Sequence, residues 1–168
     1  MFNNSVLVDV QKEADILRAE AVINGYESIG CDVVNVGGFD MAAGMDYLQQ
    51  VVDSTDIPFI SANIIDSKTN LKLFPPYHII ENTGISIGVI GLTILLPSHV
   101  QTIKLEDFIS VGKAQIAELR KKVDIVVVLA NVNRDKNILM NEDFRDADYI
   151  FLSRNTTRTK PATEQPLE

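Results

Sequence analysis

Asp124–Ala130 reads DIVVVLA, a run that is apolar in all but its first residue. A strand with no polar alternation is what a central parallel strand needs when both of its faces are covered. Before it, Glu106–Lys122 places Ile109, Ile116 and Leu119 at helical spacing. Earlier still, Tyr77–Glu81 and Ile85–Thr93 (ISIGVIGLT) are two β runs joined by Asn82-Thr83-Gly84, a hairpin signal. After it, Asp135–Phe144 has weak helical character and Asp148–Ser153 (DYIFLS) is a last strand. Towards the N-terminus, Ser5–Val10 (SVLVDV) reads as a buried strand and Lys12–Gly30 as a helix closed by Gly30. Asp32–Val36 reads as a strand, Met41–Ser54 as a helix, Pro58–Ile64 (PFISANI) as a strand, and Asp66–Pro76 and Leu95–Lys104 as loops.

The resulting order, β-α-β-α-β-ββ-α-β-α-β, predicts an α/β fold: a mainly parallel sheet sandwiched by helices, with one inserted β-hairpin. Its 168 residues suit one domain, expected over residues 1–157, with 158–168 as a flexible tail ending in a vector-like Leu167-Glu168. With Lys plus Arg at 15 and Asp plus Glu at 23, the chain carries a net charge of −8 and no basic block, which argues against nucleic acid. No apolar run reaches the roughly 18 residues of a membrane span. One cysteine, Cys31, excludes an internal disulfide and a cysteine-based zinc cluster, and is read as a buried small hydrophobe.

In such folds, ligands gather at the carboxyl ends of the strands. The strand ends carry Asp9, Gly37-Gly38, Asp40, Asn63, Asn131 and Asn133, and Ser153 to Thr156. The glycines match neither the dinucleotide fingerprint nor the P-loop, so they are read as a tight strand-to-helix turn. The Asp and Asn side chains suit a hard cation weakly and serve as caps equally well. His78 and His99, the only histidines, lack the partners of a catalytic triad and are read as edge or surface residues.

Several of these phrases resemble the metallophosphatase domain of the 5′-nucleotidase type, within the calcineurin-like phosphoesterases. Ala19–Leu48 is similar to that family's helix, strand and Gly-Asn-His-Glu-Phe-Asp-x-Gly loop, and Pro58–Ile64 to its Pro-Phe-x-x-Ala-Asn strand. Ile85–Thr93 resembles its Lys-Ile-Gly-Val-Ile-Gly-Leu-Thr strand, and Val123–Asn131 and Ala147–Thr157 its last two strands. The resemblance implies a metallophosphoesterase-like layered architecture that begins after the family's opening Asp-x-His strand. It also implies a lineage of phosphate-ester hydrolysis by two divalent cations. Placed on the family's loop, Gly38 stands at a metal-binding Asn, Phe39 at the catalytic His and Asp40 at a Glu. Asn131 stands at a His, and Arg154 and Thr156 at ligands of the closing Gly-His-x-His. Asp9 keeps an earlier Asp, while the strand-end Asp falls near Gln11 or Lys12.

The expectation is therefore a degenerate site with no catalytic, metal or cofactor residues and a binding or structural role. The alternative is an active nucleotide phosphohydrolase holding two divalent cations, completed by further N-terminal sequence or another chain. A doubly wound nucleotide-binding or flavodoxin-like module is opposed by the hairpin. Arg154 with the N–H groups of Gly37 and Gly38 is a candidate holder of a small anion or phosphate, and a companion domain is a candidate partner. The resemblance implies a cell-envelope or secreted setting. Phe39 is expected to tuck against the apolar strand ends.

Overall fold

The computed structural model describes residues 4–96, 100–132 and 142–154. Its elements are α1 (Asn4–Ile29), β1 (Val34–Asn35), a 3-10 turn (Gly38–Met41), α2 (Met45–Asp53), β2 (Phe59–Ile60) and β3 (Ile64–Asp66), then β4 (Tyr77–Asn82), β5 (Ile85–Thr93), β6 (Ile103–Leu105), α3 (Phe108–Leu119), β7 (Ile125–Val132) and β8 (Tyr149–Arg154). The largest sheet has the order β4-β5-β7-β8. β4 and β5 form the antiparallel hairpin, and β5, β7 and β8 run parallel. The hairpin turns at Thr83 and Gly84, with φ of 48° and 85°. Positive φ at both central residues is the twist that matches a tight hairpin.

The α/β expectation holds, with differences in how the strands are distributed. β1 and β2 form a separate parallel pair, and β3 and β6 a separate antiparallel pair. Pro58–Ile64 therefore divides between two sheets. Beyond Ile60, the Ser61 N–H donates to Pro75 O and the Ala62 N–H to Gly91 O, which draws the chain away from β1. The Leu95–Lys104 segment, read as loop, contributes β6 opposite β3. The helix expected from Met41 starts at Met45, because Gly44 takes φ 99°. Most of Asp135–Phe144 and all of the tail lie outside the described residues, as do His99 and Asn133.

The strand expected at Ser5–Val10 is instead the N-terminal part of α1. A short apolar run cannot be told from a helical segment by periodicity alone. No Gly or Pro lies between Ser5 and Asn24 to interrupt the turns.

One core cluster joins Ile90 and Leu92 of β5, Val126, Val128, Ala130 and Val132 of β7, and Ile116 and Leu119 of α3. A second joins Val36, Met41, Leu48, Phe59, Ile64, Phe74 and Ile103. β7 alternates buried and half-buried residues along its length. It is therefore fully covered on the α3 face, whereas its other face opens towards a cavity. α3 begins at an N-cap, Asp107, whose side chain accepts the Ser110 N–H at 2.8 Å. Among the described residues, no helix is long and apolar enough to cross a membrane.

Candidate functional site

The parallel register aligns Thr93, Asn131 and Ser153 as one rung across the carboxyl ends of β5, β7 and β8. Side chains continue the rung. Thr93 Oγ1 donates to Asn131 Oδ1 at 3.2 Å, and Asn131 Nδ2 donates to Ser153 Oγ at 2.8 Å. Both ends of the Asn131 amide are thus engaged. Thr93, fully buried, was not singled out from the sequence. A polar residue closing an apolar strand was its only local signal.

β1 brings Gly37 against this rung. A Cβ on Gly37 would lie 3.1 Å from Asn131 Cγ, and one on Gly38 would lie 2.9 Å from Leu95 O. Gly38 is required by its close approach to a backbone oxygen, while Gly37 sits tight against the Asn131 amide. The Gly37 N–H donates to Asp40 Oδ2 at 2.7 Å, so it is already committed within the turn and is not free to hold an anion. Crowding around Asp40 raises its pKa above the usual carboxylate value, and the Gly37 hydrogen bond opposes that rise.

Phe39 reverses the expectation made for it. It is 67% exposed and lines the cavity. The reason is the 3-10 period of three residues per turn. Gly38 and Met41 share the buried side of the turn, which leaves Phe39 facing out.

The cavity measures about 580 Å³ and lies between α1, β1, the Gly38–Met41 turn, α2 and the open faces of β7 and β8. Val22 and Tyr26 of α1, Val34 of β1, Leu48 of α2 and Leu129 of β7 contribute apolar wall. Asp40, Asn131 and Ser153 contribute its polar end, and Phe151 of β8 joins Phe39 in the lining. Cys31 is half-buried and also lines it, its thiol directed at Val33 O at 3.5 Å.

The remaining candidates do not join this group. Asp9 lies in the N-terminal part of α1 and not at a strand end. Asn63 is fully buried and serves the scaffold: its Oδ1 accepts the Thr93 N–H at 3.0 Å, and its Nδ2 donates to Thr93 O at 2.7 Å and Glu106 O at 3.3 Å. His78 sits on β4, at the opposite edge of the large sheet from β8. Arg154 ends β8, while Thr156 lies outside the described residues. Among the described residues, no group of three or more His, Cys, Asp or Glu side chains could hold a metal ion. Among the described residues, the polar end of the cavity offers one carboxylate, Asp40, and an amide engaged at both ends, Asn131.

No family model matches the chain. It is 33% identical over 133 residues to a 5′-nucleotidase of Vibrio cholerae, a match covering 74% of this chain and 24% of that protein. Among solved structures, the calcineurin-like phosphoesterase YfkN of Bacillus subtilis superposes with a TM-score of 0.69 at 18% identity, covering 86% of this chain and 52% of that one. The 5′-nucleotidase precursor of Thermus thermophilus superposes with a TM-score of 0.68 at 21% identity, covering 86% and 32%. The chain spans about a quarter of the length of the curated relatives it matches.

Proposed function

This chain is a metallophosphatase domain of the 5′-nucleotidase type, and on that premise we propose that it serves as a binding or structural domain and does not itself assemble the two-metal centre. The reading rests on one observation, the side chains at the carboxyl ends of β1 and β7. Phosphate-ester hydrolysis by two cations needs a shell of carboxylates and imidazoles. Here the residues at that end are Gly38, Phe39, Asp40 and Asn131. Asp40 is bonded to Gly37 and Asn131 to Thr93 and Ser153. Glycine and phenylalanine offer no ligand atom, and the Asn131 oxygen already accepts a hydrogen bond.

A second reading is favoured by the named relatives, since a domain spanning 24% of a 5′-nucleotidase has room for ligands elsewhere in a longer protein. In that reading, sequence outside this stretch or another chain completes a nucleotide phosphohydrolase. The resemblance also supports a cell-envelope or secreted setting.

The test loads the purified chain with manganese, measures bound metal after desalting, and assays a chromogenic phosphate ester and adenosine 5′-monophosphate. Substoichiometric metal and no turnover above the buffer blank are expected. Two equivalents of metal with turnover overturn the reading. Turnover only in the full-length gene product selects the second one.

A further inference from the structure

The cavity is lopsided in charge. Among the described residues that line it there is no Lys, Arg or His, and Asp40 is the one side chain charged at neutral pH. Among the described residues Asp40 makes no ion pair, and its carboxylate receives a single hydrogen bond, from Gly37. The Asp40 carboxylate is exposed, and with one donor on it its remaining oxygen lone pairs are open to a cation. Two large aromatics in the same lining, Phe39 and Phe151, are 67% and 59% exposed. Surface rings so placed offer faces to a cation and apolar cover to a ring. The volume, about 580 Å³, lies within the range of small-molecule sites.

The geometry points to a binding site for a compact organic cation, an ammonium group carried on an apolar body about one aromatic ring in size. The ammonium meets the Asp40 carboxylate, with Asn131 and Ser153 at the same polar end. The ring lies against Phe39 and Phe151 and the apolar wall of Val34 and Leu48. Phosphates, nucleotides and carboxylates are excluded by the same charge, in a chain whose net charge is already −8. The inference rests on the proposed function in one respect, that Asp40 is not a metal ligand.

Three probes of similar shape test it by calorimetry in chelator-treated buffer: 2-phenylethylammonium, 2-phenylethanol and 3-phenylpropionate. The ammonium is expected to bind measurably, the alcohol more weakly, and the carboxylate not at all. Asp40→Asn should weaken the ammonium about tenfold, the scale of one charge-assisted contact, and leave the alcohol unchanged. Phe39→Ala, at an exposed position that does not threaten folding, should weaken both. Equal binding of the three probes, preference for the carboxylate, or no binding of the ammonium at ten-millimolar order overturns the inference. Metal uptake and turnover are read in separate samples, so failure of the proposed function is recognised independently of the amine titration.

Discussion

Gly37 and Asp40 close the turn after β1 on each other: the Gly37 N–H donates to Asp40 Oδ2 at 2.7 Å, and the Asp40 N–H donates to Gly37 O at 3.3 Å. The turn therefore holds a carboxylate at the cavity. Crowding raises the pKa of Asp40 more than the hydrogen bond lowers it. The folded chain keeps the proton to higher pH than the unfolded chain, whose value is near 3.8. Stability from this group is thus lost as pH rises from that value through the raised folded one. Asp40→Asn removes the ionisation, so the variant should gain on the wild type between pH 4 and pH 7. Urea midpoints of both proteins at the two pH values check this, and a gap that moves the other way refutes the sign.

Gly91 on β5 fixes how closely β1 and β2 approach the large sheet. A Cβ there would lie 2.5 Å from Asn35 Oδ1 and 2.8 Å from the backbone oxygen of Ile60. The backbone oxygen cannot swing aside, and Asn35 Nδ2 is tied to Leu92 O and Leu129 O. Gly91→Ala should destabilise by about 1–3 kcal/mol, the usual cost of forcing extra atoms into a packed core. Equilibrium unfolding in urea measures it; a change within experimental error would mean that β1 and β2 are free to back away.

Close approaches of this kind mark where sequence reading succeeds and where it stops. Ile85–Thr93 was legible to its ends because a Thr-Gly turn, with φ of 48° and 85°, precedes a long apolar run. Its apolar length matched a strand inside a sheet, and local chemistry decided everything. Ser5–Val10 was not legible, since its four apolar residues, Val6, Leu7, Val8 and Val10, fit a strand and a helix equally. Phe39 was misplaced because its direction depends on a three-residue helical period that begins at Gly38, which no pattern of apolar residues announces. Asp40, Asn131 and Ser153 could each be read as strand-end residues from the strand order, because parallel strands bring their carboxyl ends to one edge, whereas Asp9, expected at the same edge, lies in α1. Asn63 sits at such an end, yet its partners Thr93 and Glu106 are 30 and 43 residues away. Only the folded chain shows that its amide is consumed.

That consumption makes Asn63 a scaffold residue. Replacing it by Leu leaves the Thr93 N–H and carbonyl without their partner in a fully buried setting. Each orphaned backbone group costs about 1–3 kcal/mol, so the variant should be among the least stable single changes. Thermal unfolding followed by circular dichroism tests this. A melting temperature close to the wild type would show that water or a shifted backbone replaces the amide.

Asp148 should show the opposite pH sign to Asp40. Its Oδ1 lies 2.8 Å from the Arg120 guanidinium, and its Oδ2 accepts the Val126 N–H at 2.7 Å. The Arg120 hydrogen bond is the larger cause and the Val126 N–H the next, and both hold the carboxyl below its usual value. A lowered folded pKa means that the unfolded chain takes up the proton first. The stabilisation is complete above the unfolded value of 3.8 and disappears as pH falls through the lower folded one. Both side chains are about one-third exposed, so water and salt weaken the ion pair, and the loss in Asp148→Asn at pH 7 should stay below about 1 kcal/mol. The difference between wild type and variant should shrink as pH drops towards 3 and as salt is raised. Urea unfolding across that pH range, at low and high salt, measures it. A difference that is constant across pH would remove the charge from the account and leave the Val126 hydrogen bond, made less well by an asparagine oxygen, as its source.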